Sequence, residues 1–202
     1  YPEWMTVFLA ICSIGAVAVP LNSWGKSVEL IYGVSDSEAK LVFVDDQRYQ
    51  LLEPSLEDLA CTAVVVRSDT TLSERAHHYQ YFVKEGLGIT VAPAEIHPDD
   101  NALILYTSGT TGSPKGALST HRSICQAIFN FCFVGAQAMM TSPKVAQKME
   151  ALAYEPAALL TLPLFHVSGL HAVFLLNLNL GRKIVLVATR MLIQLYPKKK
   201  SL

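Results

Sequence analysis

The sequence predicts an α/β fold, with parallel-sheet layers and helices on both faces. Three observations carry this expectation. Short valine-rich apolar runs, Leu41–Asp45 and Thr62–Arg67, alternate with segments of helical length. That β-α-β-α-β rhythm calls for parallel strands joined by right-handed crossovers. A charged fraction of 16% beside 51% hydrophobic residues fits strands buried on both faces.

The elements follow in order. Trp4–Ser13 reads as a helix and Ala16–Pro20 as a short buried strand. Lys26–Ser35 is a second helix, its apolar face marked by Val28, Leu30, Ile31 and Val34. After the strand Leu41–Asp45, Asp46–Ala60 is helical and Thr62–Arg67 is the next strand. Residues 68–90 are more polar and read as an exposed connection containing a helix. Ala102–Tyr106 is a buried strand and Ala117–Ser119 another. Thr120 caps a helix reaching about Phe133, with Ile124, Ala127, Ile128 and Phe131 on its buried stripe. Ala158–Leu164 (strand), Ser168–Asn177 (helix) and Lys183–Val187 (strand) complete the series.

Composition excludes some functions. With 16 basic and 17 acidic residues the net charge is −1, so no global field recruits nucleic acid or anionic lipid. Cys12, Cys61, Cys125 and Cys132 form no CxxC pair or metal spacing, and three of them sit in apolar surroundings that suit reduced, buried thiols. Trp4–Gly25 and Ala157–Gly181 are uncharged and long enough to cross a bilayer. Their internal prolines, glycines, asparagines and histidines read better as helix–strand and strand–helix pairs. The opening Tyr1-Pro-Glu-Trp4 lacks a basic n-region and does not read as a signal peptide. A cytoplasmic location is the expectation, with a peroxisomal one left open; the closing Lys200-Ser-Leu202 has the peroxisomal Ser-Lys-Leu residues in reversed order and does not count for it.

The stretch that points at chemistry is Ile104–Gly116. Hydroxyls of Thr107, Ser108, Thr110 and Thr111 are interleaved with Gly109 and Gly112, and Lys115 follows Pro114. Glycines let the backbone curl so that its N–H groups approach anionic oxygens, hydroxyls add donors, and the lysine adds a mobile charge. A Walker loop requires four residues between its glycines and a hydroxyl after the lysine. Here Gly109 and Gly112 are closer together and Gly116 follows Lys115, so the site is of another kind. An ordinary Ser/Thr/Gly-rich surface loop is the plainer alternative.

Thr107-Ser-Gly-Thr-Thr-Gly-Ser-Pro-Lys115-Gly116 resembles the signature loop of the AMP-forming adenylate synthetases, which include acyl-CoA synthetases and firefly luciferase. Gly15-Ala-Val-Ala-Val-Pro-Leu21 and Leu162-Pro-Leu-Phe-His166-Val-Ser-Gly169 resemble flanking segments of that family. The resemblance implies a partial large N-terminal domain over residues 1–187 and a divergent tail over 188–202. It implies an acid–thiol ligase reaction. A carboxylate attacks the α-phosphorus of ATP, expels pyrophosphate, and the acyl group then passes to coenzyme A or another thiol. Thr107, Ser108, Gly109, Thr110, Thr111, Gly112 and Lys115 would hold the β- and γ-phosphates. His166 would border the acyl substrate and thiol tunnel; on residues alone, it is equally well a histidine satisfying a strand end.

ATP and magnesium are the cofactors implied, and a carboxylic acid and coenzyme A the partners. The family's downstream adenine- and magnesium-binding motif, its Thr-Gly-Asp and its mobile C-terminal domain have no counterpart in these residues. Tyr32-Gly-Val-Ser-Asp36 resembles the Tyr-Gly-x-Thr-Glu motif only superficially, since it lies upstream of the loop; Tyr32 and Gly33 are expected to end a helix. Asp45 and Asp46 read as caps or turn formers, and His171 as packing. The leading expectation is a ligase fragment inactive alone. A non-catalytic truncated or interacting chain and a membrane-associated protein stay open.

Overall fold

The computed structural model describes residues 1–107, 113–151 and 155–187. It divides into two units, Tyr1–His121 and Arg122–Leu202.

In the first unit, helix α1 spans Pro2–Ser13, with Pro2 at a position where the missing N–H costs nothing. Helix α2 spans Ser27–Asp36, and the Glu29 carboxylate accepts from the Lys26 N–H at 2.7 Å, closing its first turn. Strand β1 (Leu41–Asp45) is followed by α3 (Asp46–Leu52), β2 (Thr62–Val66), β3 (Ala76–His78) and α4 (Tyr79–Glu85). The three strands form a parallel sheet in the order β1–β2–β3. Alternation along the strands separates its two faces. Val42, Val44, Ala63, Val65 and Ala76 pack with Leu30 and Val34 of α2 and Tyr49 and Leu52 of α3. On the opposite side Phe43 meets Phe82 of α4 edge-on, ring centroids 6.4 Å apart. The expected helices on both faces are therefore present. Each fully buried valine or leucine contributes about 1.5–3 kcal/mol, and Leu52, Leu56, Val64 and Val65 are all essentially inaccessible.

Strand β4 (Asn101–Thr107) pairs antiparallel with β5 (Lys115–Thr120), so the candidate loop joins two arms of a hairpin. The expected strand Ala16–Pro20 reduces to one parallel bridge. Ala18 donates to the Ala102 carbonyl and accepts from the Ile104 N–H, both at 2.9 Å.

Several boundaries differ from expectation for local reasons. Helix α3 stops at Leu52 because Pro54 follows, and a 3-10 turn spans Glu53–Ser55. The stretch read as an exposed connection containing a helix holds that helix as α4, and also the unexpected strand β3. Helix α2 runs past Gly33 to Asp36, so Tyr32 and Gly33 lie within it.

Helix α5 spans His121–Thr141, well beyond Phe133, and α6 spans Pro143–Glu150. By length and composition alone α5 could cross a membrane. Of the expected stripe Ile124 is buried, whereas Phe131 is exposed. In the second unit β6 (Ala157–Leu160) pairs parallel with β7 (Lys183–Leu186). A π-helix over Ser168–Leu175 runs into the short α7, Leu176–Asn179. The two uncharged stretches do not form single spanning helices: each is broken into short elements, as their punctuation requires. The four cysteines are free thiols, but only Cys61 is buried and Cys125 is exposed, contrary to the expectation of burial. The tail 188–202 lies outside the described residues.

Candidate functional site

The hairpin register puts Thr107 directly opposite Lys115. These two candidate phosphate-binding residues close the ladder, and the Thr107 hydroxyl donates to the Lys115 carbonyl at 3.4 Å. That long bond is weak and exchanges readily for a better acceptor. Both residues are exposed. Ser108, Gly109, Thr110, Thr111 and Gly112 lie outside the described residues.

One pair further down, Gly116 faces Tyr106. A Cβ at Gly116 would come within 2.7 Å of Ile104 Cγ2 and 3.5 Å of Tyr106 Cζ. The missing side chain lets the Ile104 and Tyr106 side chains lie across the hairpin. A strand end needing a flat neighbour explains the glycine after the lysine.

Sequence reasoning missed two residues beside this hairpin. The Tyr32 hydroxyl donates to the Pro114 carbonyl at 3.0 Å, and the Tyr106 hydroxyl donates to the Asp36 carboxylate. The rings of Tyr32 and Tyr106 meet edge-on with centroids 6.3 Å apart. Burial first, and then the Asp36 carboxylate, push the Tyr106 phenol well above its ordinary value. The spacing of Tyr32 and Asp36 on one helical face was readable; their reach to residues 106 and 114 was not.

The Asp45 carboxylate accepts from the Arg48 N–H at 3.0 Å and caps α3. Asp45 is thus the cap its position suggested, whereas Asp46 accepts from the Ser68 hydroxyl at 2.6 Å and the Thr70 hydroxyl at 3.0 Å and ties α3 to the segment after β2. A hollow of about 540 Å³, lined by Asp69, Thr70, His77, His78 and Tyr81, lies at a different place in this unit. Its one carboxylate has the wrong sign for a polyphosphate.

In the second unit His166 lies in the connection between β6 and the π-helix, six residues past the carboxyl end of β6. Ligands of open α/β sheets gather at such ends. Its N–H donates to Pro163 O at 3.2 Å, and its carbonyl accepts from Leu170 N–H at 2.9 Å. The exposed imidazole sits 4.6 Å, centroid to centroid, from the buried Phe165 ring. Gly169 is compulsory in this turn, since a Cβ there would run into the Pro163 carbonyl. His171, by contrast, is 5% exposed, and burial holds its imidazole below the ordinary value.

Among the described residues no group of three or more His, Cys, Asp or Glu side chains could hold a metal ion.

A parallel sheet with helices on both faces defines the first unit as an α/β fold. The chain belongs to the AMP-binding enzyme family, whose profile matches residues 1–198. It is similar to the 3-hydroxybenzoate–CoA/4-hydroxybenzoate–CoA ligase of Thauera aromatica, 35% identical over 126 residues, covering 61% of this chain and 24% of that one. The oxalate–CoA ligase of Arabidopsis thaliana is 29% identical over 188 residues, covering 92% of this chain and 33% of the relative. Among solved structures, an anthranilate CoA ligase with bound anthranoyl-AMP superimposes with a TM-score of 0.74 at 22% identity, over 96% of this chain and 35% of that one. ATP-bound MatB from Rhodopseudomonas palustris gives 0.67 at 24%, over 93% and 33%. These structural likenesses carry the fold. The chain spans a quarter to a third of the length of these curated relatives.

Proposed function

We propose that these residues are the phosphate-gripping and acyl-bordering portion of an ATP-dependent, AMP-forming carboxylate–CoA ligase, and that on their own they do not complete catalysis. The observation that carries the reading is the Thr107–Lys115 pair closing the β4–β5 hairpin. A hydroxyl donor and an ammonium group at one end of a ladder suit the charge that builds on departing pyrophosphate. Lys115 contributes a point charge, and Ser108–Gly112 add backbone and hydroxyl donors. His166, exposed past the end of β6, borders the acyl substrate. Similarity to CoA ligases supports a carboxylic acid and coenzyme A as substrates of the whole protein, and ATP-bound neighbours support ATP.

Equilibrium titration of the chain with ATP and with inorganic pyrophosphate tests the reading. Weak binding that Lys115→Ala removes supports it; equal binding by both proteins overturns it. ATP–pyrophosphate exchange across a panel of carboxylic acids tests the catalytic half. No exchange is expected, and measurable exchange abolished by Lys115→Ala would show that the residues are a catalyst by themselves.

A further inference from the structure

A two-stranded ladder is marginal in water on its own, and among the described residues no third strand is hydrogen-bonded beyond β5. Lys115, Gly116, Ala117 and Leu118 are all exposed. Something must hold the hairpin if Thr107 and Lys115 are to keep a fixed separation. At one end Ala18 bridges to Leu103. At the other, helix α2 contacts both arms at once. It reaches Tyr106, the residue before Thr107, and Pro114, the residue before Lys115.

Asp36 ionised can only accept, so Tyr106 donates to its Oδ2. Tyr32 carries one hydroxyl proton, and its 3.0 Å contact to Pro114 O wins over the 3.4 Å contact to Asp36 Oδ1. The helix is itself seated closely. A Cβ on Gly33 would fall 2.6 Å from Leu21 Cδ2, and Leu21 follows the segment that bridges to β4. Helix, bridging segment and hairpin thus form a closed set of contacts.

We propose that Tyr32 and Asp36 are positioning residues that clamp the two arms of the hairpin and fix the distance across which Thr107 and Lys115 hold a polyphosphate. The role rests on the phosphate reading above. Neither residue touches the anion; each acts through the residue beside a phosphate ligand.

The test uses the full chain with Tyr32→Phe, Asp36→Ala and Asp36→Asn. Amide hydrogen exchange is read at Lys115 and Ala117, which pair with Thr107 and Leu105 in the hairpin, and at Val64 and Val65 in β2, and affinity is read with inorganic pyrophosphate and ATP. One lost hydrogen bond corresponds to about two- to tenfold. Tyr32→Phe and Asp36→Ala are expected to speed hairpin exchange and to weaken pyrophosphate binding by that factor, with β2 protection unchanged. Asp36→Asn keeps an acceptor for Tyr106 and should restore most of both. Unchanged hairpin exchange overturns the clamp. So does pyrophosphate affinity that Lys115→Ala abolishes but the clamp variants leave intact, which marks ordinary packing. A wild-type chain that binds neither probe overturns the phosphate reading, and this role with it.

Discussion

Tyr106 donates its phenolic proton to Asp36, a carboxylate 70 residues away in the chain. The bond joins the end of helix α2 to the strand that leads into the candidate phosphate segment. It exists only while Tyr106 is neutral. Burial of the phenol, the Asp36 hydrogen bond and the Asp36 charge all act in the same direction, raising its pKa. A folded-state pKa raised above the unfolded value means that this stabilisation is fully present below about pH 10. It is lost as the pH climbs from there through the folded value. Carbon-13 tyrosine NMR during alkaline titration should show Tyr106 ionising last among the resolved tyrosines. In Asp36→Asn it should move back toward the ordinary value without reaching it, because burial remains. An ordinary Tyr106 titration in the wild type refutes this.

Lys115 is the residue whose loss should be felt most in ligand binding. A hydrogen bond to a charged group contributes about 1.5–3 kcal/mol, which is roughly ten- to a hundredfold in affinity. Lys115→Ala should weaken pyrophosphate binding by that factor while leaving thermal stability nearly unchanged, since the side chain is exposed. Calorimetric titration and a melting curve on the same sample check both halves.

Two glycines make contrasting predictions about steric cost. At Gly169 the obstacle to a Cβ is the Pro163 backbone carbonyl, which cannot move without opening the turn that carries His166. At Gly116 the obstacle is Ile104 Cγ2, the end of a side chain, which can rotate. Gly169→Ala should destabilise the second unit by about 1–3 kcal/mol, and Gly116→Ala should cost less. Urea unfolding followed on amide signals from each unit separates them. A larger loss at Gly116 counts against the geometry of the turn.

The cap of α3 separates a hydrogen bond from an ion pair. Asp45 accepts from the Arg48 N–H and also pairs with its guanidinium at 3.0 Å, where both side chains are about a quarter exposed. Asn keeps the cap and discards the charge. Asp45→Ala should cost about 0.5–2 kcal/mol, and Asp45→Asn should cost little because partly exposed pairs are screened. Equal losses in urea unfolding would assign the stabilisation to the ion pair instead.

Legibility in the sequence followed the range of the interaction. Strands β1 and β2 were readable because Leu-Val-Phe-Val and Ala-Val-Val-Val are short valine-rich apolar runs. The three-residue strand β3, Ala76–His78, has no such run; it exists because β2 offers it an edge. Pro54 already carried the signal that ends α3. The π-helix at Ser168 was not readable, since local periodicity expects an α-helix there. At the candidate site, Thr107 and Lys115 were found from residue type and spacing alone. Their antiparallel pairing was not anticipated, because the intervening segment is far longer than a two-residue hairpin turn. Tyr32 and Asp36 escaped for a different reason: contacts at separations of 82 and 70 residues leave no local pattern.

His171 offers a pH dependence confined to the second unit. Its side chain is buried beside Leu170 in the sequence, its Nδ1 has no hydrogen-bond partner, and burial lowers its pKa from 6.5. A depressed folded-state value means that the unfolded chain binds a proton more readily. Stability is then full above the unfolded value and declines as the pH falls through it toward the folded one. Unfolding of the second unit should therefore become easier between about pH 7.5 and pH 5, as the imidazole gains a charge that it cannot solvate. His171→Leu removes the titrating group while preserving an apolar interior, so the difference between wild type and variant isolates this residue from the other histidines. Urea midpoints read on amides of residues 157–187 at the two pH values measure it. Parallel pH profiles for the two proteins would show that His171 is not the group responsible.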